Sequence, residues 1–377
     1  MALTQLPNRK PDAYAVDLRL EPRELILPGS LKATTWDLHG NRLLYTRDVW
    51  RYHVLAGTED IHNHGHVDTE IMAVPAADLP LTSAAQGTRL VLLDHLPVDA
   101  PQAVSSPRIP EVLAADPVTG DWIIYSHRID LGPPYVTDLA AFTPAGGPIS
   151  SAALVQPDDV GLRWEVPHAV LHDGALYAIE RDFRPNGNGT NATALVVRRQ
   201  IGTLGSLTVY WSPEDEWTFP HSISVSEDHT FVAATKLFNP GGFGTFERSY
   251  LYWLNRETLA QTDVRQLAFN PTDNDGPRPY NLGTWEATGS RNTGGIVLFD
   301  PAAGNFLATG LSPAGYHPDW FEHPPTPALF RFAPTLVGDQ PFLHLADLGN
   351  RLPGPMSFTS TGLCANDANQ LPEFRDR

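Results

Sequence analysis

The sequence predicts an all-β protein made of repeated four-stranded antiparallel units, and two observations lead to this prediction. First, RWEVPHAVLHDGALYAIER (163–181) and EWTFPHSISVSEDHTFVAAT (216–235) share a Trp, a Pro-His pair, an alternating apolar strand, a polar turn and a second strand. Second, nothing longer than one or two turns shows helical periodicity. Four-stranded antiparallel units repeated about an axis form a β-propeller.

The same hairpin build recurs along the chain, and two more strand-like runs follow each copy. Three of the hairpins start near Pro110, Pro167 and Pro220, which are spaced by 57 and 53 residues. We therefore predict one domain over 1–377 with five blades, at about 31–95, 108–156, 164–212, 217–269 and 282–348. A six-bladed ring is the alternative, in which MSFTSTGLCAND (356–367) supplies a strand that seals the ring with the N-terminal segment.

Composition and charge limit the kinds of partner and the cellular location that we expect for this protein. The formal net charge is −17 with 26 basic residues, and no basic stripe is visible, so we do not expect nucleic acid as a partner. The sequence contains no run of 18 apolar residues, so we expect no membrane span. The first 25 residues lack an apolar signal core, so we expect a cytoplasmic protein, or a secreted one if a leader has been removed. The single cysteine excludes an internal disulfide framework, and the oligomeric state is left open.

The repeat predicts which side chains converge, because the first strand of each propeller blade lines the central channel. We expect the leading ends of these strands to bring together Trp36 with Asp37, Glu111, His168, His221, and Trp285 with Glu286, with Trp164 and Trp217 just before the two histidines. Apolar walls with a few polar groups are typical of a small-molecule site.

Each candidate has a functional and a structural interpretation. His168, His221 and Glu111 are the catalytic candidates, since a histidine near neutral pH can donate a hydrogen bond or shuttle a proton. The structural alternative is that a Pro-His pair fixes a neighbouring backbone group and that the glutamate accepts bonds in a turn. The tryptophans are substrate-binding candidates, and the alternative for them is the propeller core.

A histidine-rich segment, EDIHNHGHVD (59–68), is the strongest metal-like motif. Alternate histidines on a strand point the same way, and imidazole suits zinc or iron. A loop that caps the channel and lends His64 or His66 to the substrate is an equally good interpretation, and an ordinary surface loop is the third. We predict no metal and no cofactor.

The hairpins RIPEVLAADPVTGDWIIYSH and VPHAVLHDGALYAIE resemble blades of the five-bladed, furanosidase-type glycosidases. Those enzymes hold three carboxylates at successive first strands, and paired carboxylates are needed for glycoside cleavage. Here the first blade starts with Pro28-Gly29-Ser30-Leu31, and the third and fourth carry His168 and His221 instead. The resemblance therefore extends to fold more than to activity.

In size, fold and an aromatic, His-bearing channel, the chain also resembles the propeller cyclases of fungal secondary metabolism, such as hetero-Diels–Alderases and the propeller protein of trichothecene clusters. This resemblance implies a cofactor-independent cyclase or pericyclase that acts on an apolar natural product, a terpenoid or polyketide. The alternative is a carbohydrate-active hydrolase or lyase that uses Glu111, Glu286 and Asp37 as acids. A binding propeller without chemistry is the third hypothesis.

Overall fold

The structure is a computed structural model, and it describes part of the chain. The described residues are 13–16, 22–25, 31–52, 65–79, 86–93, 108–128, 136–155, 165–182, 193–207, 209–213, 218–238, 246–266, 283–284, 293–294, 297–301, 304–312, 326–332, 343–347, 353–358 and 363–367.

Three four-stranded antiparallel sheets follow one another between Leu31 and Trp211, and in each the strands pair in chain order. Blade 1 consists of β3 (Leu31–Asp37), β4 (Arg42–Tyr52), β5 (Gly65–Pro75) and β6 (Thr88–Leu93). Blade 2 consists of β7 (Arg108–Ala115), β8 (Trp122–Arg128), β9 (Val136–Phe142) and β10 (Pro148–Val155). Blade 3 consists of β11 (Glu165–His172), β12 (Ala175–Asp182), β13 (Thr193–Gln200) and β14 (Val209–Trp211).

Two further sheets repeat the arrangement. Blade 4 consists of β15 (Thr218–Val225), β16 (His229–Phe238), β17 (Phe246–Asn255) and β18 (Gln261–Gln266). Blade 5 consists of β21 (Val297–Asp300), β22 (Asn305–Ser312), β23 (Thr326–Phe332) and β24 (Leu343–Asp347). A small hairpin, β19 (Gly283–Thr284) with β20 (Thr293–Gly294), lies between them in sequence, and short 3-10 turns occur at Ala76–Asp78 and Ile201–Thr203.

A sixth four-stranded sheet, blade 6, combines the two ends of the chain. It contains β25 (Pro353–Phe358) and β26 (Leu363–Asp367) together with β1 (Ala13–Val16) and β2 (Pro22–Leu25), and β1 pairs antiparallel with β26. The six-bladed alternative therefore describes the sheets better than the five-bladed preference. The four residues of β1 are too short a strand to stand out in the sequence.

The sheets are arranged as a β-propeller, which confirms the predicted fold class. The first strands lie side by side in the order β25, β3, β7, β11, β15, β21. Each first strand forms an edge of its own sheet, and we call its side without a partner in that sheet the inner edge. That the whole chain is one domain stays a prediction.

The hydrophobic core is divided among the interfaces between blades. Leu44 and Ile71 of blade 1 pack with Trp122 of blade 2, and Tyr125 of blade 2 packs in a cluster with Leu176 of blade 3. Blades 3 and 4 meet through Tyr177, Val196, Ile223 and Val232, whereas Phe231 and Trp253 of blade 4 contact Phe306 of blade 5. The inner strands are buried on both faces, so their residues alternate between the preceding and the following blade, whereas outer strands such as β6 are partly exposed.

One turn sets the hydrogen-bonding register of blade 3. Asp173 and Gly174 join β11 to β12 with φ values of 52° and 69°. Two successive residues with positive φ are typical of the two-residue hairpin turns whose twist matches that of the strands, and glycine adopts this conformation at no steric cost.

Within the described part of the chain, no helix has the length and apolar character needed to cross a membrane.

Candidate functional site

The three catalytic candidates lie near the middle of adjacent first strands. Glu111, His168 and His221 are each the fourth residue of their strand, in β7, β11 and β15. The side chains of His168 and His221 are buried, with 2% and 5% of each residue exposed. Residues that lie as far as Glu111 and His221 are from each other in sequence thus occupy the middle of three neighbouring strands, and not the leading ends where they were expected.

A β-bulge marks this level in each of the three strands. In β7 the register slips between Pro110 and Val112, in β11 between Glu165 and His168, and in β15 between Pro220 and Ser222. Proline has no N–H to give to a ladder, so it is tolerated where a bulge interrupts the pairing. Bulges also redirect side chains and are frequent beside functional sites.

The two Pro-His pairs are not equivalent in the ladder, although their sequences match. His168 pairs with Ile179 and directly follows the bulge of β11, whereas His221 lies within the bulge of β15. The ladder position of His168 is occupied by Ser222 in blade 4. The expectation that the two histidines occupy equivalent positions is therefore wrong by one residue, because the bulge takes up Val166 and Pro167 in β11.

His168 bonds to the next blade through one ring nitrogen. The Ile223 N–H on β15 donates to His168 Nδ1 at 2.9 Å. Burial lowers the pKa of His168 from 6.5 to about 4, so the imidazole is neutral at neutral pH. Because Nδ1 accepts a hydrogen bond, the proton of the neutral ring is on Nε2. His168 therefore combines a structural bond with a hydrogen-bond donor, and it is not a cationic acid.

Two serines make similar bonds to blade 5. Ser222 Oγ accepts from the Val297 N–H at 2.9 Å and donates to the Val297 carbonyl at 3.0 Å. Ser224 Oγ accepts from the Phe299 N–H at 3.2 Å. We call these bonds and the His168–Ile223 bond the inner-edge staples, since each joins a side chain of one first strand to the backbone of the next. They hold the first strands of blades 3, 4 and 5 together.

Trp36 and Asp37 do not lie at the leading end of β3, contrary to the expectation, since they are its last two residues. Trp36 packs in a core cluster with Leu43, Tyr45, Met72 and Val74. Asp37 is fully buried, forms an ion pair with Arg42 at 2.7 Å and accepts from the Gly40 N–H at 2.9 Å. The β3–β4 turn therefore accounts for the carboxylate of Asp37, and the substrate-binding role of Trp36 stays a prediction.

The remaining candidates are only partly covered by the structure. His66 lies in β5, opposite Arg51 of β4. His64, Trp164, Trp217, Trp285 and Glu286 lie outside the described residues. Among the residues that the structure describes, no three His, Cys, Asp or Glu side chains lie together in a way that could hold a metal ion.

Sequence reasoning missed a buried charged network between blades 2 and 3. Arg199 donates to both carboxylate oxygens of Glu180, from Nε at 3.1 Å and from Nη2 at 3.0 Å, and its Nη1 donates to the Leu204 carbonyl at 2.9 Å. Tyr125 Oη donates to Glu180 Oε1 at 3.1 Å. Burial, followed by the charge of Glu180, raises the pKa of Tyr125 well above 10. In the sequence, the one indication of this network is that Glu180 is a charged residue at a core-facing position of an alternating strand.

Comparisons with known proteins find only distant structural similarity. No protein-family model matches the chain, and no curated protein matches it either. Among solved structures, the hydrazine synthase of Kuenenia stuttgartiensis aligns at 12% identity and a TM-score of 0.47, over 88% of this chain and 72% of that one. An α-L-arabinofuranosidase of Fusarium graminearum aligns at 11% identity and a TM-score of 0.42, over 80% and 92% of the two chains. The β-propeller domain of the trilobed protease of Pyrococcus furiosus aligns at 8% identity and 0.42, over 86% and 73%. Similarity at this level carries no argument about activity.

Proposed function

We propose that this propeller is a cyclase or pericyclase that acts on an apolar natural product, a terpenoid or polyketide, at the bulged middle of β7, β11 and β15. The observation that carries the proposal is the state of His168, a buried and neutral imidazole whose Nδ1 is held by the Ile223 N–H. The proton on its Nε2 is then fixed in place as a donor.

A fixed neutral donor suits a cyclisation that builds negative charge on a carbonyl oxygen. A hydrogen bond to the oxygen of an enone or quinone methide polarises it, and in a buried site such a bond is worth more than in water. Holding two reacting carbons in near-attack geometry supplies up to roughly 7–11 kcal/mol of the barrier to an association reaction. In this scheme His168 polarises the substrate oxygen, His221 is a second donor at the bulge of β15, and Glu111 on β7 orients the substrate.

The carbohydrate alternative is weaker. Of its three proposed acids, Asp37 is paired with Arg42 at the far end of β3. A cyclisation needs no pair of carboxylates, whereas glycoside hydrolysis does. We therefore retain the hydrolase only as an outcome of the test.

The test compares reaction rates and product stereochemistry. Purified protein is incubated with α-humulene and an ortho-quinone methide generated in situ, and cycloadducts are separated by chiral chromatography and mass spectrometry. We expect an enantiomeric excess with the wild type, and a loss of rate of about 10²-fold or more when one fixed donor to a developing oxyanion is removed.

The decisive variant is His168→Asn. Its side-chain oxygen is able to accept from the Ile223 N–H as Nδ1 does, but it has no donor at the Nε2 position. His39→Ala removes an exposed turn histidine and serves as the control. Unchanged rates in His168→Asn and His221→Ala would overturn the proposal. So would release of nitrophenol from p-nitrophenyl α-L-arabinofuranoside at a rate that these two variants leave unchanged.

A further inference from the structure

We propose that the backbone N–H of Ala169, on the inner edge of β11, is an open hydrogen-bond donor that binds the carbonyl oxygen of the substrate. This inference rests on the proposed function and adds a main-chain group to its site. It follows from a break in the series of inner-edge staples, between blades 2 and 3.

The direction of the Ala169 N–H follows from the ladder. His172 and Ala175 flank the two-residue turn, so they form a hydrogen-bonded pair, and hydrogen-bonded pairs alternate along an antiparallel ladder. His168 then belongs to the hydrogen-bonded set, whereas Ala169, which pairs with Ala178, does not. The Ala169 N–H therefore points away from β12, towards the inner edge.

Blade 4 provides an independent check of this assignment. There the Ser226 N–H donates to the His229 carbonyl across the turn, which places Ser222 in the hydrogen-bonded set and Ile223 outside it. The Ile223 N–H does point to the inner edge, where it meets His168 Nδ1. Ala169 in blade 3 and Ile223 in blade 4 occupy the same ladder position.

An apolar side chain occupies the position from which a staple to the Ala169 N–H would be made. Val112, His168 and Ser222 each directly follow the bulge of their first strand. His168 and Ser222 use this position to bind an N–H of the next blade, but Val112 has no acceptor, and it packs in the same core cluster as Ala169.

Within the described residues, the contacts therefore provide no acceptor for the Ala169 N–H. A buried N–H without a partner is rare and costs roughly 1–3 kcal/mol, so it usually indicates a ligand or an ordered water. Ala169 is 6% exposed, and Val112 and Ala114 of the same core cluster are 4% and 5% exposed. One donor among apolar neighbours suits an apolar molecule that carries one oxygen acceptor, as in an enone or quinone methide.

Amide hydrogen exchange tests the open donor without any ligand. We expect the Ala169 amide to exchange about tenfold or more faster than the stapled Ile223 amide, the factor that corresponds to one hydrogen bond. Val112→Thr adds a hydroxyl acceptor at nearly constant shape and is expected to slow exchange at Ala169 by a similar factor. Val112→Ala, which adds no acceptor, is the matched control and leaves the Ala169 amide fast. Equal exchange of Ala169 and Ile223 in the wild type would overturn the inference.

Binding is tested with β-ionone, a stable terpenoid enone, by amide and imidazole NMR on the full chain. We expect β-ionone to shift the Ala169 amide downfield, and we expect Val112→Thr, but not Val112→Ala, to abolish this shift and the cyclisation. If β-ionone moves the His168 ring signals and not the Ala169 amide, the inference fails and the proposed function stands. If it moves neither and no cycloadduct forms, both fail.

Discussion

Replacing Glu180 by alanine is expected to destabilise the protein more than any other single charge removal in the described part of the chain. Glu180 and Arg199 are 1% and 4% exposed, and the carboxylate accepts three hydrogen bonds, two from Arg199 and one from Tyr125. Without it the guanidinium keeps its bond to the Leu204 carbonyl and its contact with the Tyr125 hydroxyl, but it has lost its counter-charge. A buried charge that loses its partner costs about 3–5 kcal/mol.

The assay is urea denaturation followed by far-ultraviolet circular dichroism, with free energies of unfolding extrapolated to water. Glu257→Ala is the matched control, because Glu257 pairs with Arg198 at 2.6 Å but is 56% exposed. Exposed pairs contribute about 0–1 kcal/mol, so the control is expected to stay near wild type.

The double variant Glu180→Leu/Arg199→Met removes both charges together. We expect it to recover most of the loss, since a buried pair is often replaced by apolar residues at little cost. A loss below about 1 kcal/mol in Glu180→Ala, or a loss of equal size in Glu257→Ala, would refute the assignment of a buried charged network to this interface.

Three further outcomes follow from the structure. Ser222→Ala leaves the Val297 N–H and carbonyl without their staple, and we expect urea unfolding to show a loss of about 1–3 kcal/mol; an unchanged midpoint would contradict this. Because the folded-state pKa of His168 is lowered from 6.5 to about 4, the unfolded state binds more protons between these values. Stability that is present above pH 6.5 is therefore lost as the pH falls towards 4, by about 3 kcal/mol in pH-dependent melting, and His168→Asn should flatten that slope. Gly120 has φ +74°, and an added Cβ would lie 2.7 Å from the His39 ring, so Gly120→Ala should lower the melting temperature. Gly202→Ala is the control and should not lower it, because a Cβ there would meet no atom within 4 Å.

The hairpin repeat could be predicted from the sequence because the patterns that define it are local. Alternation of apolar residues, turn residues and the regular spacing of Pro110, Pro167 and Pro220 all lie within single segments, so they predicted the four-stranded units. The sixth blade was harder to predict, since its strands β1 and β26 come from opposite ends of the chain and pair only in the folded ring. Pairing between such distant segments leaves no local pattern.

In the candidate site, too, some features follow from local sequence and others only from the pairing of distant strands. Sequence alone selected His168 and His221 and placed them on neighbouring first strands, since that follows from the repeat. The one-residue offset between them comes from bulges, which depend on how two strands pair and not on the residues of one strand. The role of His168 as acceptor for the Ile223 N–H likewise needed the two blades side by side.

By itself, then, the sequence determined an all-β chain of repeated hairpins and the segments that face the centre, because periodicity and turn chemistry are short-range properties. Only the tertiary structure decided three features: the Glu180 carboxylate is buried against Arg199, the Asp37 carboxylate is paired with Arg42, and the apolar Val112 stands where other first strands carry a staple. Each of these depends on which blade lies next to which, and on a register that is set by contacts between residues far apart in the chain.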